Sequence, residues 1–106
     1  MTTTFDKREE GFEKQFAHDE ELRFKAVARR NKQLGLWAAG HLGKSGAEAE
    51  AYAREVVLAE FEQAGDNEVL RKLVQDLESK GLTEAQIAAK MRELLDRALE
   101  QVKKSG

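Results

Sequence analysis

The stretch Ala38-Ala39-Gly40-His41-Leu42-Gly43-Lys44-Ser45 has the residue types of a relaxed phosphate-binding loop, with Ala at the first glycine position. A working P-loop places a strand before the glycines and a helix after them, so that backbone N–H groups wrap the phosphates. Residues 29–39 read as helix and no parallel-strand pattern exists elsewhere. Gly43 therefore reads as a helix C-cap and Ser45 as the next N-cap. A weaker possibility survives: Lys44 and Ser45, at the start of the second helix, as candidates for nucleotide or anion binding. His18 and His41 are the only histidines, and their spacing matches no metal motif such as HExxH. Tyr52 has helical spacing to Val56 and reads as core edge rather than as a catalytic acid. Arg29-Arg30-Asn31-Lys32 is a basic patch without the aromatic platform that nucleic-acid binding uses. No constellation of catalytic side chains emerges, and neither a cofactor nor a metal is expected.

Composition narrows the classes further. The chain has 106 residues, 41% hydrophobic and 36% charged, with 18 Lys+Arg against 20 Asp+Glu and neither Cys nor Pro. One domain with a single core fits that length. Absent cysteine removes disulfides, zinc knuckles and thiol nucleophiles together. The formal net charge of −2 gives no global pull toward nucleic acid or anionic lipid. The start of the chain is polar and acidic by Asp6, unlike a signal peptide, and the most apolar stretch, 34–42, is too short to span a bilayer. A cytoplasmic protein without membrane insertion, monomeric when free, is expected.

The elements that would position these residues are helices. Thr83-Glu84-Ala85-Gln86 and Ser45-Gly46-Ala47-Glu48 both fit a capping box. Gly43, Gly65 and Gly81 each come at the end of a helical pattern as left-handed C′ residues, and Asp66 or Asn67 can cap the helix after Gly65. The spacing predicts helices over about 19–42, 47–64, 68–80 and 84–103. Val69, Leu70, Leu73, Val74 and Leu77 form one stripe; Ile87, Met91, Leu94, Leu95, Ala98 and Val102 form another. Tyr52, Val56, Ala59 and Phe61 group on the second helix, Phe24, Val27, Leu34 and Ala38 on the first, and Trp37 reads as a core anchor. The fold class is all-α, a four-helix bundle over 19–106.

Residues 1–18 stand apart. Phe5, Phe12 and Phe16 are the large apolar residues there, at spacings that put them on one helical face among charges. Gly11 interrupts the segment at a helix cost of about 1 kcal/mol relative to Ala, and so short a helix is marginal alone in water. Such a segment is expected to be flexible when free and to fold when a partner covers its phenylalanines.

Phe5-Asp6-Lys7-Arg8-Glu9-Glu10-Gly11-Phe12-Glu13, Phe24-Lys25-Ala26-Val27-Ala28-Arg29-Arg30-Asn31-Lys32 and Leu34-Gly35-Leu36-Trp37-Ala38-Ala39 resemble the zeta subunit of alphaproteobacterial F-type ATP synthases. The likeness runs through the whole chain and is most specific in its first half. It implies a non-enzymatic regulatory subunit that binds the catalytic sector and inhibits ATP hydrolysis. It also implies an inhibitory amino-terminal segment inserted between a catalytic alpha/beta pair and the gamma stalk, on the cytoplasmic side. Carried over by position, the partner-binding residues are Phe5, Arg8, Phe12 and Phe16. From the residues alone, two other readings stay open: a small helical module that senses ADP or ATP through Lys44 and Ser45, and a plain helical adaptor.

Overall fold

The computed structural model describes the backbone of residues 3–62 and 66–105 and the side chains of residues 19–61 and 66–104. The helix runs are α1 (Thr3–His41), α2 (Gly46–Glu62), α3 (Asp66–Leu77), a single 3-10 turn (Glu78–Lys80) and α4 (Glu84–Ser105). No strand occurs among the described residues. The helix expected to begin near Asp19 begins at Thr3 and is 39 residues long. The expected C′ role of Gly65 and the side chains of Phe5, Arg8, Phe12, Phe16 and His18 lie outside the described residues.

Helix ends follow local chemistry. Gly43 takes φ 76°, and the Lys44 and Gly43 amides donate to the Ala39 and Gly40 carbonyls at 2.9 and 3.2 Å. That pair of bonds is a Schellman closure, which needs a left-handed residue at Gly43. Gly81, at φ 79°, closes the turn after α3 in the same conformation. Thr83 and Gln86 form the expected capping box: Gln86 N–H donates to Thr83 Oγ1 at 3.1 Å, and Thr83 N–H donates to Gln86 Oε1 at 2.9 Å. At Ser45 the expectation fails, since no side-chain bond links Ser45 with Glu48. Gly46 sits at φ 56°, which swings the chain out of helical geometry one residue after Ser45 and spoils the box.

One core joins all four helices: Leu34, Ala38 and Ala39 of α1, Tyr52, Val56 and Ala59 of α2, Val69, Leu73 and Leu77 of α3, and Ile87, Met91 and Leu94 of α4. A second, smaller cluster sets Ala26 against Ala98 and Val102, with Leu22, Leu95 and Leu99 around it. Trp37 is half-buried at the edge rather than central, edge-on to His41 (centroids 4.9 Å apart) with Lys90 Nζ 5.7 Å from its ring centre. Gly35 sets the α1–α2 approach, since a Cβ there would stand 2.6 Å from Ala53 Cα.

Candidate functional site: an overhanging arm and the end of the bundle

Both α2 and α4 run antiparallel to α1. Along α1, Trp37 lies against Lys90 and Ala26 against Val102, so α4 ends opposite the residues near Leu22. Phe24 meets Phe61, in the last turn of α2, and Arg30 meets Asp66, the first residue of α3. All three neighbours of α1 thus end between Leu22 and Arg30, while α1 itself continues to Thr3. Residues 3–18 overhang the bundle by about 24 Å at 1.5 Å per residue.

Helical register gives this overhang a direction. At 3.6 residues per turn, positions 5, 12 and 16 fall within about 20° of one meridian, and positions 30 and 34 fall on the same one. Arg30 and Leu34 face the bundle interior and are 1% and 0% exposed. The phenylalanine positions of the arm therefore continue the core-facing stripe of α1 past the point where the bundle stops supplying partners. The sequence places these positions on one face; the ends of α2, α3 and α4 among the described residues decide that the backbone of α1 runs on past them.

Where the arm leaves the bundle, a buried polar network fixes the junction. Arg30 Nη1 and Nη2 donate to the two Asp66 oxygens at 3.2 and 2.6 Å, a bidentate fork from α1 to α3. Arg30 Nη2 also donates to Glu60 Oε1 of α2 at 3.1 Å, and its Nε to Asn31 Oδ1 at 3.0 Å. Asn31 Nδ2 donates to the same Glu60 oxygen at 3.0 Å. The Arg30 guanidinium, through its hydrogen bond and then its charge, holds the Asp66 carboxyl below the usual aspartate range, against the opposing effect of partial burial. No buried side-chain polar atom among the described residues lacks a partner. This corrects two expectations: the middle of the Arg29–Lys32 patch is interior, and Asp66 spends its carboxylate on Arg30 instead of capping α3.

Beside this network two aromatics stay in solvent. Phe24 and Phe61 are 59% and 57% exposed, with centroids 5.7 Å apart. The expected α1 and α2 stripes included both as core, and the packing turns both outward. They border a groove between α1 and α2 lined also by Val27, Ala28 and Val57. Spacing could not separate them from the core, because a helical face about 100° wide admits either side.

Other candidates lie elsewhere. Lys44 is half-buried and Ser45 exposed in the turn between α1 and α2, where a helix precedes the glycines. Tyr52 is buried and donates to Asp76 Oδ2 at 2.6 Å; burial first, and then that bond, push its phenol well above the ordinary range. Lys72 completes this α2–α3 lock, 3.2 Å from Asp76 and 5.0 Å from the Tyr52 ring centre. No group of three or more metal-ligating side chains occurs among the described residues, and no described helix is long and apolar enough to cross a membrane.

The fold is an all-helical bundle whose first helix extends beyond its neighbours among the described residues. Residues 1–101 match the family model of the ATPase inhibitor subunit zeta, and the chain belongs to that family. Membership makes it an inhibitory, non-enzymatic regulatory subunit associated with an ATP synthase. A solution NMR structure of a protein 50% identical to this one superposes at a TM-score of 0.70, covering 80% of this chain and 99% of its own. No curated protein matches the chain.

Proposed function

We propose that the subunit inhibits ATP hydrolysis by inserting residues 1–18 into the catalytic sector, at the junction of an alpha/beta pair with the gamma stalk, with Phe5, Arg8, Phe12 and Phe16 as its contacts. One observation carries this reading: the α1 backbone continues about 24 Å past the other described helices, with positions 5, 12 and 16 in register with its core-facing positions 30 and 34. An apolar helix face without its own cover is what a helix-in-groove partner reads, at anchors spaced by whole turns. The three phenylalanines supply area, and Arg8 supplies orientation more than affinity. A cleft open in one rotational state binds the arm best there, so inhibition is directional if rotation in the synthesis sense closes it. The bundle, residues 19–106, stays outside, on the cytoplasmic side of the enzyme, and the free subunit is a monomer.

The test is deletion of residues 2–17. The buried residues among those described lie between Ala26 and Val102, so the truncated chain should keep its melting transition and lose its inhibition of a cognate catalytic sector. Full inhibition by the truncated chain would refute insertion. A melting temperature lowered by the deletion would favour the adaptor reading, in which the segment completes the fold.

A further inference from the structure

Arg30 interrupts an otherwise apolar line. Leu22, Ala26, Arg30, Leu34 and Ala38 recur every four residues on the inward face of α1, and Arg30 stands where the two apolar clusters of the interior divide. On the Leu34 side α1 packs into the core shared by all four helices; on the Ala26 side its buried apolar partners among the described residues, Ala98 and Val102, belong to α4. Between Leu22 and Leu34 the buried residues of α1 are Ala26, Arg30 and Asn31. Toward α2 and α3, the exit of α1 is therefore held by half-buried Val27 and Ala28 beside Val57, and by the hydrogen bonds of Arg30 and Asn31 to Glu60 and Asp66. A buried ion pair is a poor source of stability, since apolar packing of the same volume does as well. Its distinctive property is geometry: a bidentate fork fixes both distance and plane, whereas apolar cores accept repacking and lose uniqueness before stability.

We propose that the network of Arg30, Asn31, Glu60 and Asp66 is a positioning clamp for inhibition: it holds α1 at one angle to α2 and α3 where that helix leaves the bundle, and so sets the direction in which residues 1–18 are presented. The proposal rests on the reading that those residues are the inserted element. Lever length gives the clamp its weight. From Arg30 to Thr3 the axis of α1 is about 40 Å long at 1.5 Å per residue, so a tilt of about 10° at the clamp moves the far end by about 7 Å. A cleft that accepts the helix in one direction admits only the aligned fraction of a swinging ensemble, and the apparent affinity falls by that fraction. Arg30 then strengthens binding without touching the partner, because the ordering cost is met before the encounter.

The experiment separates direction from stability, using the full chain and an isolated cognate catalytic sector. One reading is the half-inhibitory concentration for ATP hydrolysis. The other is the distance distribution between spin labels at Asp19→Cys and Arg71→Cys, exposed positions on α1 and α3 of a chain that has no cysteine of its own. R30M/N31L/E60L replaces the clamp by apolar packing, whereas Tyr52→Phe weakens the α2–α3 lock and leaves the clamp intact. The triple variant should melt no lower than Tyr52→Phe, yet raise the half-inhibitory concentration about tenfold and broaden the label distances. Tyr52→Phe should match the parent in both readings. Parent-like inhibition or parent-like distances in the triple variant overturn the proposal, and so does an equal loss of inhibition in Tyr52→Phe. Should the triple variant melt lower than Tyr52→Phe, Asp66→Asn at its half-exposed position decides by the same two readings; a loss of about threefold is expected, and parent-like values overturn the proposal. If the triple variant matches the parent while deletion of residues 2–17 abolishes inhibition, the clamp falls and insertion stands. If the deletion leaves inhibition intact, insertion falls and the clamp's role in inhibition falls with it.

Discussion

Replacing Arg30 by Met should be the most damaging single change in the bundle that leaves its shape alone. The methionine fills much of the arginine's volume, so the loss is electrostatic rather than a cavity. Arg30 is 2% exposed on its side chain and Glu60 16%, and the Arg30 guanidinium serves Asp66, Glu60 and Asn31 at once. Removing one partner of a buried ion pair is worth about 3–5 kcal/mol, because the other charge stays behind without compensation. The lower end applies, since Asp66 is 49% exposed on its side chain and can turn to water. A loss of about 3 kcal/mol should lower the melting temperature by about 12 °C or more in a domain of this size. The assay is thermal and urea unfolding followed by helical circular dichroism. The triple variant R30M/N31L/E60L, which removes every buried member of the network, should recover most of that loss, because a packed apolar replacement spares the desolvation. A loss below about 1 kcal/mol for Arg30→Met, or a triple variant worse than the single one, would refute the reasoning. The same network fixes an acid response. Asp66 has a folded-state pKa below its unfolded one, so its contribution is complete above the ordinary aspartate value near about 4 and is lost as pH falls through the lower folded one. The parent should therefore lose melting temperature below about pH 4 more steeply than Asp66→Asn does.

Gly35→Ala should destabilise by about 1–3 kcal/mol, since the added Cβ meets Ala53 backbone at 2.6 Å, whereas Gly40→Ala, with open space around it, should stabilise by up to about 1 kcal/mol; urea midpoints of the two variants decide. Tyr52→Phe should remove about 1.5 kcal/mol by breaking the bond to Asp76. Because the folded pKa of Tyr52 is raised, its contribution is complete below about pH 10, the unfolded value, and is lost above it. The tyrosinate absorbance should then appear together with alkaline unfolding rather than before it; a phenol titrating near its ordinary value in the folded protein would contradict the buried geometry.

The helices themselves were legible because each leaves a local mark. The Thr83–Gln86 box and the left-handed glycines at 43 and 81 stop and start the chain through bonds within a few residues, which spacing records faithfully. Ser45 shows the limit: the same four-residue pattern fails there because Gly46 adopts a positive φ, a choice the turn makes and the letters do not announce. The residue runs in the first half of the chain carry the family resemblance, and the family match over residues 1–101 agrees with it.

Local periodicity thus determined the all-helical class, most helix ends and the shared face of Phe5, Phe12 and Phe16. Tertiary packing decided which member of a basic run is interior, which aromatics stay outside and where the support beneath α1 ends. Arg30 is interior because Glu60 and Asp66, about thirty and thirty-six residues away, arrive together at its fork. Phe24 and Phe61 stay in solvent because α2 ends beside α1 with no third helix over them among the described residues. Spacing fixes a side chain's angle about its own helix; how far the neighbouring helices reach depends on contacts across the fold, and that reach makes the first turns of α1 an arm.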